Sequence, residues 1–435
     1  VFHLMGQEMK HKHHHADMLS VEEARDKILD VFNPLDMKEI PVIESLNLTL
    51  AEDIHSTINI PPFNNSAMDG YALKASNIKN ATYESPVYLK VRGTISAGEL
   101  PAFSIDDGYS ARIMTGAPMP NGADTVVPFE ETTEMDIGNQ ENQITDIGIK
   151  ISANQGDDVR KSGKDVSEGD LILKKGTIIK SSTIGLISSI GNSTVKIHKK
   201  PEIAVLATGN ELISPGSPPV SGKIYDSNTN SIIASIIEAG GIPKSLGIIK
   251  DDIDSLNEAI ELAQNSDLVI TSAGVSKGDY DMVKDVLSSK GKLNFWSVRM
   301  RPAKPLAFGL LNSGTPLIGL PGNPVSAFVA FEQFCRPAIR KMLGKKYISR
   351  PIIKATLKDS IENYDSRRVY ARVKVWQENN TYLAETSGAQ GSNILSSMAY
   401  ANGLAICPET ENSKNSGDNV DVIMIDWPEE IINDN

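Results

Sequence analysis

From Glu202 to Phe334, short apolar runs alternate with amphipathic ones. EIAVLATG (202–209), SLGIIKDD (245–252), DLVITSAG (267–274) and PLIGLPGNP (316–324) read as strands. SNTNSIIASIIEAGG (227–241), DSLNEAIELAQNS (254–266) and VSAFVAFEQF (325–334) read as helices, the first capped by Asn or Thr and stopped by paired glycines. Parallel strands cannot be joined by a tight hairpin. Each needs a crossover, usually helical, so this alternation specifies βαβ units and a central parallel sheet.

The flanks have a different texture. SVEEARDKILDVFNP (20–34) is a short amphipathic helix with Ser20 as N-cap, Glu23 completing a capping box and Pro34 just past the end. Residues 40–60 are extended and lead into PPFNNSAMDGYAL (61–73). Short strands and turns over 86–150 suggest a small β-rich module, and 160–182 reads as hairpins rich in Gly, Lys and Asp, with a short helix after them. From Arg350 onward β-branched alternation returns in RVYARVKVW and DVIMIDW, the pattern of a small β domain. With 435 residues the chain exceeds a single core; roughly 150 residues per domain gives about three.

Composition narrows the function. A net charge of −12 argues against a general nucleic-acid-binding face, although it leaves room for local basic pockets. No apolar run approaches the roughly 18 residues of a membrane span, so no membrane association is expected. The two cysteines, Cys335 and Cys407, support neither a disulfide framework nor a Cys-rich zinc site, and the expected compartment is the cytoplasm. Five of the seven histidines fall in VFHLMGQEMKHKHHHAD, an aperiodic segment that resembles an affinity tag and is set aside. Only His55 and His198 remain, so Cys/His pairs, Ser/His/Asp triads and His-rich zinc centres are poorly supplied. Catalysis falls to carboxylates, Lys and Arg, backbone amides and a bound metal.

In open parallel sheets, ligands bind beyond the carboxyl ends of the strands. Three strands here end in ATGNEL (207–212), TSAGVSKGDYD (271–281) and GLPGNPVS (319–326). Gly209, Gly274 and Gly322 admit close backbone approach, and Ser272 and Ser276 place hydroxyls beside them. One such loop is ordinary turn chemistry; three on one sheet edge make a binding rim. No G-x-G-x-x-G follows a strand and no P-loop occurs, which excludes dinucleotide and P-loop readings. SVRMRPAKP (297–305) supplies Arg299, Arg301 and Lys304, with Lys277 in the neighbouring loop: either an anion site or a solvated basic surface. Glu211, Asp226, Asp279 and Asp281 lie on or near the same rim. Carboxylates beside a phosphate repel it unless a cation intervenes, and hard oxygen ligands with a phosphate suit Mg²⁺. PPFNNSAMDGYAL, with Asp69-Gly70 in a turn, and RIMTGAPMPNGADTVVP (112–128), with Thr115-Gly116, are either plain loops or proline-stiffened platforms for a flat polar heterocycle.

NNSAMDGYA, RIMTGAPMPNGADTVV, RKSGKDV, LATGNEL, YDSNTN, GVSKGDYDMVKDVL, RPAKPLAFG and GLPGNPVSAF, in that order, resemble the molybdopterin molybdenumtransferase family. This family is called MoeA in bacteria and is represented in animals by the E domain of gephyrin; the resemblance spans about residues 18–430. It implies insertion of molybdate into the dithiolene of adenylylated molybdopterin, with hydrolysis of the adenylate, release of AMP and molybdenum cofactor, and dependence on a divalent metal, usually Mg²⁺. By motif match Asp69, Thr115, Asp165, Glu211, Asp226, Asp281, Arg301 and Lys304 fall on the family's functional positions, and Pro321 and Pro324 on its proline loop. Asp69, Thr115, Asp165 and Asp281 are thereby expected to be catalytic, and Glu211, Asp226 and Asp281 to hold metal. Gly209, Ser272, Gly274, Ser276, Lys277, Arg301, Lys304, Pro321, Gly322 and Pro324 are expected to bind substrate.

The implied fold is α/β plus β: a molybdopterin-binding sheet domain, β-rich N-terminal modules and a small C-terminal β-barrel. The boundaries expected are a tail at 1–17, an elongated domain of 18–62 with 160–198, a small β-rich domain at 63–159, the sheet domain at 199–345 and the barrel at 346–435. The resemblance also implies a homodimer with its site between the N-terminal module of one subunit and the sheet domain of the other. A contact with the adenylyltransferase that supplies the substrate is expected as well. Two positions depart from the family pattern. Ala273-Gly274 stands where Gly-Gly is usual, and Pro302-Ala303-Lys304-Pro305 where Pro-Gly-Lys-Pro is usual. Alanine prefers φ < 0, so altered loop geometry is expected at both. The competing readings are a molybdopterin adenylyltransferase and a catalytically silent, gephyrin-like scaffold.

Overall fold

The computed structural model describes residues 18–137, 144–273, 286 and 289–427. The chain forms two compact units, one of residues 40–175 and 179–195, the other of residues up to 39, 176–178 and from 196 onward.

In the first unit, β1 (Gly70–Leu73), β2 (Val87–Ile95), β3 (Tyr109–Ile113), β4 (Thr125–Pro128) and β5 (Asp146–Ile149) form a sheet in the order β4-β1-β3-β2-β5. Only the β2–β3 pairing is parallel. Side chains alternate between the faces of a strand, and here both faces are covered. Tyr71, Leu73 and Val127 enter one core; Ala72 and Val126 enter the other. That is why GYAL and VV are apolar at every position. Gly70 is not the turn glycine the sequence suggested. It opens β1, where a β-carbon would stand 2.1 Å from the Val127 carbonyl oxygen of β4.

The second unit is built on a sheet of β6 (Glu202–Thr208), β7 (Ile242–Ile249), β8 (Leu268–Ser272), β9 (Gly291–Ser297), β10 (Pro305–Leu311) and β11 (Pro316–Leu320) in the order β7-β6-β8-β11-β10-β9. The first four strands are parallel, as expected. β10 and β9 run antiparallel at the edge, so the sheet is mixed. Strand–helix alternation missed this pair because β9 and β10 are joined without a helix, and that pattern marks only strands linked by a crossover.

Helices cover both faces. Ile203, Val205, Leu268 and Ile270 share a core with Val21, Ala24 and Ile28 of α1 (Val21–Leu29) and with Ile232 and Ile236 of α2 (Asn228–Ala239). Ala204, Leu206 and Val269 face Leu256, Ala259, Ile260 and Ala263 of α3 (Ile253–Ala263). The capping box of α1 is present: Ser20 Oγ accepts from Glu23 N at 3.1 Å, and Ser20 N donates to Glu23 Oε2 at 2.7 Å. The sequence grouped this helix with residues 40–62, but its apolar face belongs to the sheet core. Gly240, at φ 103°, ends α2. After β11, α4 (Pro324–Ala330) runs through a π-helical turn, Phe331–Cys335, into α5 (Arg336–Met342).

β12 (Ile352–Leu357), β13 (Arg368–Glu378), β14 (Thr381–Thr386), β15 (Gly403–Cys407) and β16 (Asn419–Met424) close into a five-stranded barrel, β13 pairing with both β14 and β15. Val369, Ala371, Val373 and Val375 fill its interior, while Tyr370 faces outward into the sheet core. Met300 and Arg301 pair in parallel with Arg368 and Val369, which docks the β9–β10 connection against the barrel. Among the described residues no helix is long and apolar enough to cross a membrane.

Candidate functional site

In the first unit, three sequence-distant motifs are laced together through backbone groups. Gly116 N donates to Ser66 O (2.9 Å), Ser66 N to Ala117 O (3.0 Å) and Met119 N to Asn64 O (2.9 Å). On the other side Ala67 N donates to Asp158 O (2.8 Å), Ser162 N to Asn64 Oδ1 (2.9 Å) and Asp165 N to Ile60 O (2.9 Å). NNSAMDG, MTGAPMP and RKSGKD are thus neighbours. Their lacing brings Asp69 onto Thr115, whose backbone N–H and hydroxyl both donate to Asp69 Oδ1, at 2.6 and 2.9 Å. These two bonds, the backbone one foremost, hold the exposed Asp69 carboxyl below its ordinary pKa, with Arg112 contributing. Asp165 is exposed, and no described contact joins its carboxylate to Asp69.

In the second unit, β6, β8 and β11 are adjacent and parallel, so their loops share one edge. Asn228 ties them: its Nδ2 donates to Ser272 Oγ and to Gly322 O, each at 2.8 Å. Gly209 (φ 151°) lies against the Glu211 carboxylate, whose oxygens would be 2.7 Å from a β-carbon there. Asp226, 5% exposed, accepts from Thr229 N at 3.0 Å and so caps α2 from one residue before its N-cap, Ser227, where Asn or Thr was expected to cap it. Glu211 and Asp226 flank a short parallel ribbon in which Leu212–Ile213 pair with Ile224–Tyr225. Gly274, Ser276, Lys277, Asp279 and Asp281 lie outside the described residues.

A cavity of about 530 Å³ opens beside this edge. It brings together Arg301, Lys304, Pro321 and Gly322 and adds Arg367, Gln390 and Ser392 from the barrel. Ser272, Pro324, Gly209, Glu211 and Asp226 do not line it. Pro324 instead starts α4. Arg299, grouped with Arg301 by sequence, donates to Met18 O at 3.3 Å and does not line it either. Asn323 Nδ2 reaches Ser392 Oγ (3.2 Å) and Val325 N reaches Ser392 O (3.2 Å), locking the proline loop to the barrel loop. Arg301 donates to the Glu362 carbonyl and stacks 5.6 Å above Tyr364. Arg301 Nη1 stands 3.9 Å from the Asp365 carboxylate and Arg367 Nε donates to it at 2.7 Å, so of the lining cations Lys304 alone has no carboxylate partner among the described residues.

An adjoining cavity of about 380 Å³ shares Arg301 and Gln390 and reaches Arg372. Arg372 is 1% exposed. Its guanidinium donates to Ser397 Oγ (3.2 Å) and to the Ala389 and Gly391 carbonyls (3.0 Å each), with no carboxylate among the described residues. Burial alone lowers its pKa to about 10. A buried cation without a counter-ion is costly unless an anion joins it. The sequence reading missed Arg367, Arg372, Gln390 and Ser392. The available signals were a charge inside the apolar run RVYARVKV and the glycine-rich GAQGS.

A parallel-edge rim beside a cavity lined by Arg301, Lys304 and Arg367 marks an α/β domain of the ligand-binding class. Residues 19–191 match the family model described as MoeA N-terminal region (domain I and II), 204–341 the one described as probable molybdopterin binding domain, and 354–425 the MoeA C-terminal region (domain IV). Molybdopterin molybdenumtransferase 2 of Mycobacterium tuberculosis is 34% identical over 399 residues, 90% of this chain and 96% of the relative. Molybdopterin molybdenumtransferase of Haemophilus influenzae is 34% identical over 412 residues, 93% and 98% of the two chains. The crystal structure of the MoeA molybdopterin biosynthesis protein from Pyrococcus horikosii is similar at a TM-score of 0.81 and 32% identity, covering 94% of this chain and 100% of that one. The chain belongs to the molybdopterin molybdenumtransferase family.

Proposed function

We propose that this chain inserts molybdate into adenylylated molybdopterin, with hydrolysis of the adenylate and release of AMP and molybdenum cofactor. The observation that carries this reading is the cavity lined by Arg301, Lys304 and Arg367, with the uncompensated Arg372 in the adjoining space. Guanidinium forks match tetrahedral oxyanions, and a low-dielectric wall strengthens the attraction. Asp69 stays ionised at neutral pH, but a carboxylate of lowered pKa is a weak base. Its part is to accept a hydrogen bond and orient water or substrate, with Thr115 fixing its direction.

Glu211 and Asp226 would hold Mg²⁺, with Asp281 assigned to it by the family resemblance. Among the described residues no three His, Cys, Asp or Glu cluster, so an all-protein cage is not what the donor set offers. Two carboxylates do fit magnesium, which takes one or two and completes its shell with water and phosphate. When bound, the ion screens carboxylate–phosphate repulsion and polarises the phosphoryl oxygens. The homodimer with a shared site, the contact with the supplying adenylyltransferase and the cytoplasmic location belong to the same proposal.

The test is incubation with adenylylated molybdopterin, molybdate and Mg²⁺. AMP release that chelation suppresses supports the proposal. ATP consumption in a parallel incubation with unadenylylated molybdopterin, ATP and Mg²⁺ would instead assign adenylyltransfer, and turnover in neither mixture would leave a binding scaffold.

A further inference from the structure

Among the described residues, seven that are not glycine have positive φ. Five of them (Asn47, Asp158, Ser366, Asn379 and Asn380) carry short polar side chains that can hydrogen-bond locally in this conformation. The other two are Ala273, at φ 81°, and Ala303, at φ 74°. Alanine has no polar atom to offset the clash of its β-carbon with the backbone. Both alanines line the same 530 Å³ cavity.

Their surroundings hold them there. Ala273 N donates to Leu320 O at 3.0 Å, carrying the β8–β11 pairing past the strand end. Its methyl stands over Gly322, where any added β-carbon would lie 3.5 Å away. Ala303 is 4% exposed and packs in the core with Leu306, Phe308 and Leu320. Glycine at either position would relieve the strain but would leave the wall without its methyl. Strained residues that persist at a ligand cavity point to a role in shaping it.

We propose that Ala273 is a specificity-determining residue and Ala303 a positioning one: the Ala273 methyl restricts the cavity to a compact anionic group and refuses a substituent carried close to it, and the core-packed Ala303 methyl holds the wall that carries Lys304 in place. This rests on the reading that the cavity receives the free tetrahedral oxyanion of the proposed function, for which inorganic phosphate stands in, rather than the substituted phosphates of the adenylylated pterin. A change of one methyl in a pocket shifts discrimination by about tenfold or more.

The experiment is calorimetric affinity for inorganic phosphate, phenyl phosphate and molybdate, with thermal midpoints, for the parent, Ala273→Gly, Ala303→Gly and the double variant. The parent should prefer phosphate to phenyl phosphate. The double variant should lose about tenfold of that preference with an equal or higher midpoint. Ala273→Asn tolerates left-handed backbone and adds bulk, so it should sharpen the preference. The inference fails if the parent binds neither phosphate or does not discriminate. It fails too if the glycine variants keep the parent's ratio, if their midpoints drop by several degrees, or if Ala273→Asn leaves the ratio unmoved. A parent that binds phosphate but not molybdate overturns the oxyanion part of the proposed function, while the phosphate pair still judges the alanines.

Discussion

The Asp69–Thr115 cluster and the cation-lined cavity satisfy their charges in opposite ways. Asp69 is exposed, and its carboxylate is already bonded by two donors of its own unit. Arg372 is buried and leans only on neutral acceptors, and Lys304 has no described carboxylate. The first region is a finished device for holding a negative charge in one direction. In the second, Asp365 answers Arg301 and Arg367, while Arg372 and Lys304 are left without a described carboxylate. Burial explains the contrast: an exposed carboxylate has water to fall back on, whereas a buried guanidinium does not.

The largest expected effect breaks the comparison on the acidic side. Asp69→Ala should slow AMP release by about a hundredfold or more, the usual size of a lost catalytic hydrogen-bonding group. The exposed position should keep the thermal midpoint nearly unchanged. Unaltered AMP release would return Asp69 to plain loop chemistry.

On the cationic side, Arg372→Gln should weaken molybdate binding by about tenfold or more, the worth of a charge-assisted hydrogen bond. Because Arg372 neutralises no carboxylate, this change strands no charge. Arg350→Gln would leave the buried Glu332, which receives Arg350 Nε and Nη2 at 2.9 Å each, with only the Arg336 guanidinium at 3.8 Å. Breaking such a buried pair costs about 3–5 kcal/mol. Arg350→Gln should therefore lower the thermal midpoint more, and Arg372→Gln should lower anion affinity more. The reverse order would remove the distinction between structural and ligand-seeking arginines.

The smallest effect sharpens the acidic side. Thr115→Val removes one of the two donors to Asp69 and leaves the backbone N–H. The Asp69 pKa should rise part of the way toward its ordinary value, read by carboxyl NMR titration. Because the folded pKa is depressed, the carboxylate's contribution to stability is complete above the unfolded value near 3.9 and is lost as pH falls through the folded one. Thr115→Val should move that loss to higher pH. An unmoved titration would show that the hydroxyl bond contributes nothing in solution.

Much of this was legible from local patterns. The capping box at Ser20–Glu23 announced α1 because both partners lie within one turn. The rim loops announced themselves because glycine, proline and asparagine punctuate the ends of buried strands. Arg301 and Lys304 line the cavity, whereas Arg299, close to them in sequence, does not. Asp226 was read as a metal ligand; its carboxylate accepts from Thr229 N at the start of α2, a contact set by the angle at which the chain enters the helix.

What the sequence by itself determined is the set of features whose partners are close along the chain or repeat with a period: the βαβ core, the helix ends and the eight ordered motifs. Tertiary structure alone decided that β10 joins the sheet antiparallel with β9 antiparallel to it at the edge, that the barrel lends Arg367, Gln390 and Ser392 to the cavity and Arg372 to the adjoining one, and that two alanines sit at positive φ. Alanine was expected to move to φ < 0 and alter both loops, yet Ala273 and Ala303 hold a glycine's conformation. The local preference against it is only about 1–2 kcal/mol per residue. The strand pairing that fixes Ala273 and the core that encloses Ala303 outweigh it, and neither can be read from the residues next to them.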